Sequence, residues 1–165
     1  MSPSPARAER RGALAVLSIG SNLGDRLAHL RLAVEILAPC AVSGVFETAP
    51  WGDVAQDDFL NAVVLCDLEA TLAWERAQEA EQRAGRERIV RWGPRTLDVD
   101  VVLARGPVPD GLVVPHPRAH ERAFVLVPWL DVDADAVLPG HGRVADLLRA
   151  LGAGDVRRRQ DLQLS

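Results

Sequence analysis

Asp98 and Asp100 lie two residues apart in Thr96-Leu97-Asp98-Val99-Asp100-Val101-Val102-Leu103, just after an arginine-rich stretch that ends Arg91-Trp92-Gly93-Pro94-Arg95. In a strand, residues i and i+2 face the same way, roughly 6–7 Å apart along the chain. Thr96, Asp98 and Asp100 then share one face, and Leu97, Val99 and Val101 the other. Two neighbouring carboxylates repel unless a cation or an arginine stands between them. Mg²⁺ takes oxygen ligands and keeps room for water and phosphate. Arg86, Arg88, Arg91 and Arg95 fall within ten residues that contain one acid, Glu87. Guanidinium groups match phosphate oxygens in geometry and charge. The combination points to chemistry on a nucleoside triphosphate. The bland alternative is a solvated strand face beside a solvated charged loop. Trp92-Gly93-Pro94 inside the run argues against it, because a loop tryptophan needs something to pack on. The segment from Arg86 to Pro94 is therefore a candidate lid, mobile without ligand and ordered over a bound nucleotide.

His116 sits between two prolines, with Arg118 and Arg122 close by. A lone histidine is more often structural, but the arginines favour an anion site in which the imidazole donates to phosphate. Phe59 and Asn61 share a strand face by the same alternation, and Phe124 follows the His/Arg segment. Core packing is the plain reading of each aromatic. An apolar slot with one amide also suits a flat heterocycle, stacked on its faces and hydrogen-bonded at its edge. Gly20-Ser21-Asn22-Leu23-Gly24 is not a dinucleotide fingerprint and is a weak signal alone.

The bulk numbers narrow the classes. With 165 residues, 48% of them hydrophobic and 25% charged, the chain suits one globular domain. A net charge of −4 disfavours a general affinity for nucleic acid or anionic membrane. All 19 basic residues are arginine, which excludes a lysine-anchored phosphate loop and a Schiff-base lysine. Cys40 and Cys66 lie in apolar runs and read as buried, reduced thiols. Without a CxxC pair, a zinc site is not expected. No run reaches the ~18 apolar residues of a membrane span. Residues 1–12 lack the apolar core of a signal peptide and read as a flexible arm on a cytoplasmic protein.

Hydrophobic spacing supplies the elements. Ala13 to Ile19 reads as a buried strand. Leu27, Leu30, Ala33, Val34 and Leu37 make a helix over about 25–38, capped by Ser21 or Asn22 and stopped by Pro39. Strands follow at 41–47 and 58–68. A helix runs over 71–84 with Thr71 as N-cap, and a strand over 96–103. Leu112 to Val114 reads as a short edge strand, Ala123 to Leu130 as a helical turn, and Val144 to Leu151 as a last helix. The order β-α-β-β-α-β predicts an α+β, ferredoxin-like sandwich with helices packed on an antiparallel sheet. One domain is expected over 13–152, followed by a polar tail over 153–165.

Five ordered segments resemble the 6-hydroxymethyl-7,8-dihydropterin pyrophosphokinase family: 18–26, Phe46-Glu47-Thr48-Ala49-Pro50-Trp51-Gly52, Asp58-Phe59-Leu60-Asn61-Ala62, 85–100, and 115–126. The resemblance covers about Ala15 to Leu148. It implies diphosphate transfer from ATP to the pterin hydroxymethyl group with release of AMP, a step of folate biosynthesis. It implies that Asp98 and Asp100 hold two Mg²⁺ ions, and that Arg86, Arg88, Arg95, His116 and Arg122 meet phosphate. Arg86, Arg95, Asp98 and Asp100 would carry the catalysis. Gln78, Glu81, Arg91 and Trp92 would lie near the nucleotide. Phe59 and Phe124 would sandwich the pterin ring, Thr48 and Asn61 would read its edge, and Pro50, Trp51, Trp92 and Asp98 would complete that pocket. Phe59 stands where the family often has tyrosine, so stacking is kept and a hydroxyl is lost.

The expected partners are ATP and the pterin as small-molecule substrates, with no nucleic acid and no membrane, and the chain is expected to be a monomer. Two rival classes share parts of the pattern. One is a nucleotidyl- or phosphoryl-transferase built on the same aspartate pair. The other is a non-catalytic ferredoxin-like ligand-sensing module, which leaves the carboxylates facing an arginine loop without a purpose.

Overall fold

The computed structural model describes residues 14–50, 55–85 and 96–164. Its centre is strand β1 (Ala15–Ser21), buried along its whole length because it has a neighbour on each edge and helices over both faces. A strand buried on both faces reads as mainly apolar, as Ala15, Val16, Leu17 and Ile19 do, while Ser18 and Ser21 are buried polar exceptions. The remaining elements are α1 (Arg26–Leu37), β2 (Ala41–Val42), β3 (Phe46–Thr48), β4 (Phe59–Cys66), α2 (Ala70–Arg83), β5 (Asp98–Ala104), a 3₁₀ turn (Ala119–Glu121), α3 (Ala123–Val132), β6 (Val137–Leu138), β7 (Gly142–Arg143), α4 (Val144–Leu151) and β8 (Arg157–Arg158).

The main sheet runs β5-β1-β4-β3-β8, with β2 also paired to β4, and every pairing is antiparallel. The expected β-α-β-β-α-β order is present, and the fold is α+β and ferredoxin-like. One face packs Leu17, Ile19, Leu60, Ala62, Val99 and Val101 against α1 and α2. Ala70, Ala73, Ala77 and Ala80 form the buried stripe of α2. Side chains that small let the helix lie close to the sheet. The other face packs Val16, Val63, Leu65 and Val102 against Val125, Leu126, Trp129 and Val144 of α3 and α4. The sheet is thus covered on both sides, but α3 and α4 reach only one end of their face. The other end carries the polar residues of β1, β4 and β5.

β5 carries a bulge near this division. The β1–β5 register shifts between Val16 and Leu17, so Leu17 pairs with Val101 and Val16 with Leu103. Val102 is the extra residue, and its carbonyl accepts the His116 N–H at 2.8 Å. The bulge therefore ties the His116 segment to the strand that bears the two aspartates.

Several local expectations change. The strand expected over 41–47 is two short strands. Ser43 joins them to β4, accepting the Val63 N–H on its hydroxyl and donating its own N–H to the Val63 carbonyl, both at 2.9 Å. Asp25, not Ser21 or Asn22, caps α1, accepting the Ala28 N–H at 3.1 Å. α1 ends with Ala38 at φ 46°, because Pro39 disfavours a helical conformation in the residue before it. Glu69 occupies the N-cap of α2 without a side-chain bond, and the Thr71 hydroxyl instead donates to the Pro107 carbonyl at 3.3 Å. Leu112 to Val114 forms no strand. Cys66 is buried, but Cys40 is exposed, contrary to the expectation for it.

The C-terminal residues do more than trail. β8 extends the sheet beyond β3, with Phe46 opposite Arg158 and Glu47 opposite Arg157. Leu162 and Leu164 pack against the α1/α2 side of the core.

Candidate active site

The polar end of the sheet is organised in rows. Gly20 of β1 pairs with Asp98 on one side and Asn61 on the other, and Asn61 pairs in turn with Phe46. One step along, Ser18 pairs with Asp100 and Val63. One step the other way, Phe59 pairs with Thr48. Residues in register across a sheet point the same way. Asp98, Asp100, Asn61, Phe59 and Thr48 therefore share the face that α3 and α4 leave open. Strand spacing puts the Asp98 and Asn61 backbones two ladders apart, roughly 10 Å. Gly20 fills the row between them without a side chain. A Cβ there would lie 2.9 Å from Asn61 Oδ1 and 3.7 Å from Phe59 Cδ1.

Asn61 and Thr48 are buried, at 3% and 5% exposure. The Asn61 Nδ2 donates to Thr48 Oγ1 at 2.8 Å, which leaves the carbonyl end of the amide for an edge contact. Phe59 and Pro50 are half-buried beside them.

On the β5 side, Arg122 Nη1 lies 3.8 Å from Asp100 Oδ2, and its guanidinium sits 5.6 Å from the centre of the Phe124 ring. His116 Nδ1 accepts the Arg118 N–H at 3.1 Å. That bond leaves the neutral ring with its proton on Nε2, as a donor. Burial pushes the His116 pKa below the ordinary imidazole value. The Asp100 carboxylate opposes this, while the Arg122 and Arg118 guanidinium groups add to it. One end of the face thus gathers a carboxylate pair, a guanidinium and an N–H donor, and the other end a ring and an amide.

Glu81 behaves differently from a simple nucleotide contact. Its Oε1 accepts the Val99 N–H at 2.9 Å, holding the backbone between the two aspartates. Gln78, one turn earlier on α2, is exposed. Trp51, Arg86, Arg88, Arg91, Trp92 and Arg95, with the expected lid, lie outside the described residues.

The first motif contributes residues that its spacing alone did not reveal. Asn22 Nδ2 donates to Gln56 Oε1 at 2.8 Å and to the Asp57 carbonyl at 3.0 Å. Arg26 Nη1 donates to the Asp58 carbonyl and to Glu47 Oε2, both at 2.8 Å. These two side chains hold the approach to β4, and so to Phe59. The only available hint was a polar Ser-Asn-Leu-Gly-Asp-Arg run between a buried strand and a helix.

The fold and this face define a class: a one-sheet α+β protein with an acidic, phosphate-suited end and an amide-lined, ring-suited end on one surface. The sequence model of the 7,8-dihydro-6-hydroxymethylpterin-pyrophosphokinase family matches residues 16–134. The 2-amino-4-hydroxy-6-hydroxymethyldihydropteridine pyrophosphokinase of Mycobacterium leprae is 52% identical, over 91% of this chain and 87% of its own. That of Mycobacterium tuberculosis is 44% identical, over 90% and 88%, and that of Bacillus subtilis 40% identical, over 72% and 77%. The chain belongs to the 7,8-dihydro-6-hydroxymethylpterin-pyrophosphokinase family. It is an ATP-dependent diphosphotransferase of folate biosynthesis, which sets aside both the ligand-sensing module and the other transferases.

Proposed function

We propose that the row Asp98–Gly20–Asn61 is the floor on which the two substrates meet. The observation that carries this is the shared register: a carboxylate and a buried amide point the same way with only a glycine between them. The pterin edge meets Thr48 and Asn61, and its ring lies between Phe59 and Phe124, with Pro50 at the rim. Trp51, Trp92 and Asp98 complete that pocket. The ATP phosphates meet His116 Nε2–H and Arg122, with Arg86, Arg88 and Arg95 from the arginine-rich segment. Gln78, Glu81, Arg91 and Trp92 stand toward the nucleotide, Glu81 through its hold on Val99.

In the reaction the pterin hydroxymethyl oxygen attacks the β-phosphorus of ATP. A new O–P bond forms, the bond from that phosphorus to the α–β bridging oxygen breaks, and AMP leaves. Holding the alcohol in line removes most of the entropic cost of the encounter. Guanidinium and imidazole N–H donors meet the charge that spreads over the phosphate oxygens.

Asp98 and Asp100 suit Mg²⁺. Both are hard oxygen donors on one face, and the Asp100 side chain is 45% exposed. When bound, Mg²⁺ offsets charge on the phosphates and helps to hold them. The reading is of a monomer acting in the cytoplasm, with residues 13–152 as its catalytic domain. No described helix is long and apolar enough to cross a membrane.

Product analysis tests the reading. Phosphorus NMR of a mixture with ATP and the hydroxymethyl-dihydropterin is expected to show AMP and a pterin-linked diphosphate in equal amounts. ADP or free pyrophosphate as the co-product contradicts it.

A further inference from the structure

Strand β3 is three residues long, and its last residue, Thr48, pairs with the first residue of β4, Phe59. So short a strand fixes neither residue firmly by its own ladder. The residue after Thr48 and the residue before Phe59 are both held by one distant segment. Asp155 Oδ2 accepts the Ala49 N–H at 2.7 Å. Arg157 Nη2 donates to Asp58 Oδ2 at 2.7 Å and lies 3.8 Å from Glu47 Oε1. The rest of the segment adds to the same hold. Arg158 pairs with Asp131 of α3 at 2.7 Å, and its guanidinium lies over the Phe46 ring at 5.5 Å. Arg159 donates to Glu47 Oε2 at 3.1 Å, and its N–H to the Val45 carbonyl at 2.8 Å. Asp155, Arg157, Arg158 and Arg159 lie beyond position 134, where the family match ends.

We propose that Asp155 and Arg157 are positioning residues for the pterin slot, setting the separation of Thr48 and Phe59 from the β8 edge of the sheet. The proposal rests on the assignment of Thr48 and Phe59 to the pterin. The carboxylate fixes where the backbone leaves β3, and the guanidinium fixes where it enters β4. Two residues of one segment, Asp155 in the turn before β8 and Arg157 within it, set both points, so a shift of this segment changes the slot width without touching the phosphate end. Exposed ion pairs of this kind add little to global stability. Their loss should therefore register in substrate handling rather than in folding.

The test is steady-state kinetics on the full chain with Asp155→Ala, Asp155→Asn, Arg157→Ala and, as reference, Phe59→Ala, with thermal midpoints measured in parallel. Asp155→Ala and Arg157→Ala are expected to raise the pterin KM about fivefold, the change that the loss of one such polar contact brings, with the ATP KM and the midpoint nearly unchanged. Asp155→Asn keeps an acceptor for Ala49 and is expected to retain the parent pterin KM. If Phe59→Ala raises the pterin KM while the Asp155 and Arg157 variants stay within about twofold of the parent, the proposal is overturned and the slot assignment stands. If Phe59→Ala also leaves the pterin KM unchanged, the slot assignment fails and the proposal with it. A uniform fall in kcat, in both apparent affinities and in thermal midpoint marks a merely structural segment and also overturns it.

Discussion

Gly20 lies in register between Asp98 and Asn61, and a single added methyl at its Cα would come within 2.9 Å of the Asn61 side-chain oxygen. Contacts under about 3 Å to a carbon force a neighbour to move. Asn61 is buried and already bonded to Thr48, so it cannot yield without breaking that bond. Gly20→Ala is expected to raise the pterin KM roughly tenfold and to leave the ATP KM within about twofold, since misplacing a binding group by a fraction of an ångström is costly. Steady-state kinetics with each substrate varied in turn checks this. Equal loss toward both substrates contradicts the separation of the two ends.

His116 supplies a pH prediction for the substrate-free protein. Its folded pKa lies below the unfolded value because burial disfavours the imidazolium. The stability it contributes is therefore complete above the unfolded value of about 6.5 and is lost as the pH falls through the lower folded value. ¹⁵N NMR of the imidazole is expected to show the proton on Nε2 at neutral pH and a titration midpoint below 6.5. A midpoint above that, or a proton on Nδ1, contradicts the bond from the Arg118 N–H.

The cysteines should separate cleanly. Cys66 is buried and its thiol is pushed up to about 12, first by burial and then by the nearby Cys40. Cys40 is exposed. Thiolate, not thiol, is the nucleophile. Iodoacetamide on the native protein is expected to modify Cys40 alone, and a second adduct only after unfolding. Equal labelling of both in the native state contradicts the buried environment of Cys66.

The parts legible in the sequence are those fixed by local spacing. Asp98 and Asp100 two apart, and Phe59 and Asn61 two apart, announce shared faces because a strand repeats every two residues. The order of elements follows from the same periodicities. What spacing does not carry is pairing between distant segments. Arg157, Arg158 and Arg159 look like a solvated charge run until Asp58, Asp131 and Glu47 are brought beside them by the sheet. Asn22 looks like a loop residue and Arg26 like a solvated helix residue because their partners, Gln56 to Asp58, lie more than thirty positions away. The Cys40 expectation failed for a related reason. An apolar neighbourhood in sequence does not say which residue sits where the strand meets solvent.

The most direct measurement is AMP formation from ATP and the hydroxymethyl-dihydropterin by the parent chain and by Asp98→Ala and Asp100→Ala, at saturating Mg²⁺. The carboxylate pair on the open face is predicted to be indispensable, with each variant slower by at least ~10²-fold, because metal-borne charge stabilisation amounts to several kcal/mol. Variants that fold normally and turn over within about twofold of the parent would contradict the assignment of this face as the reaction site.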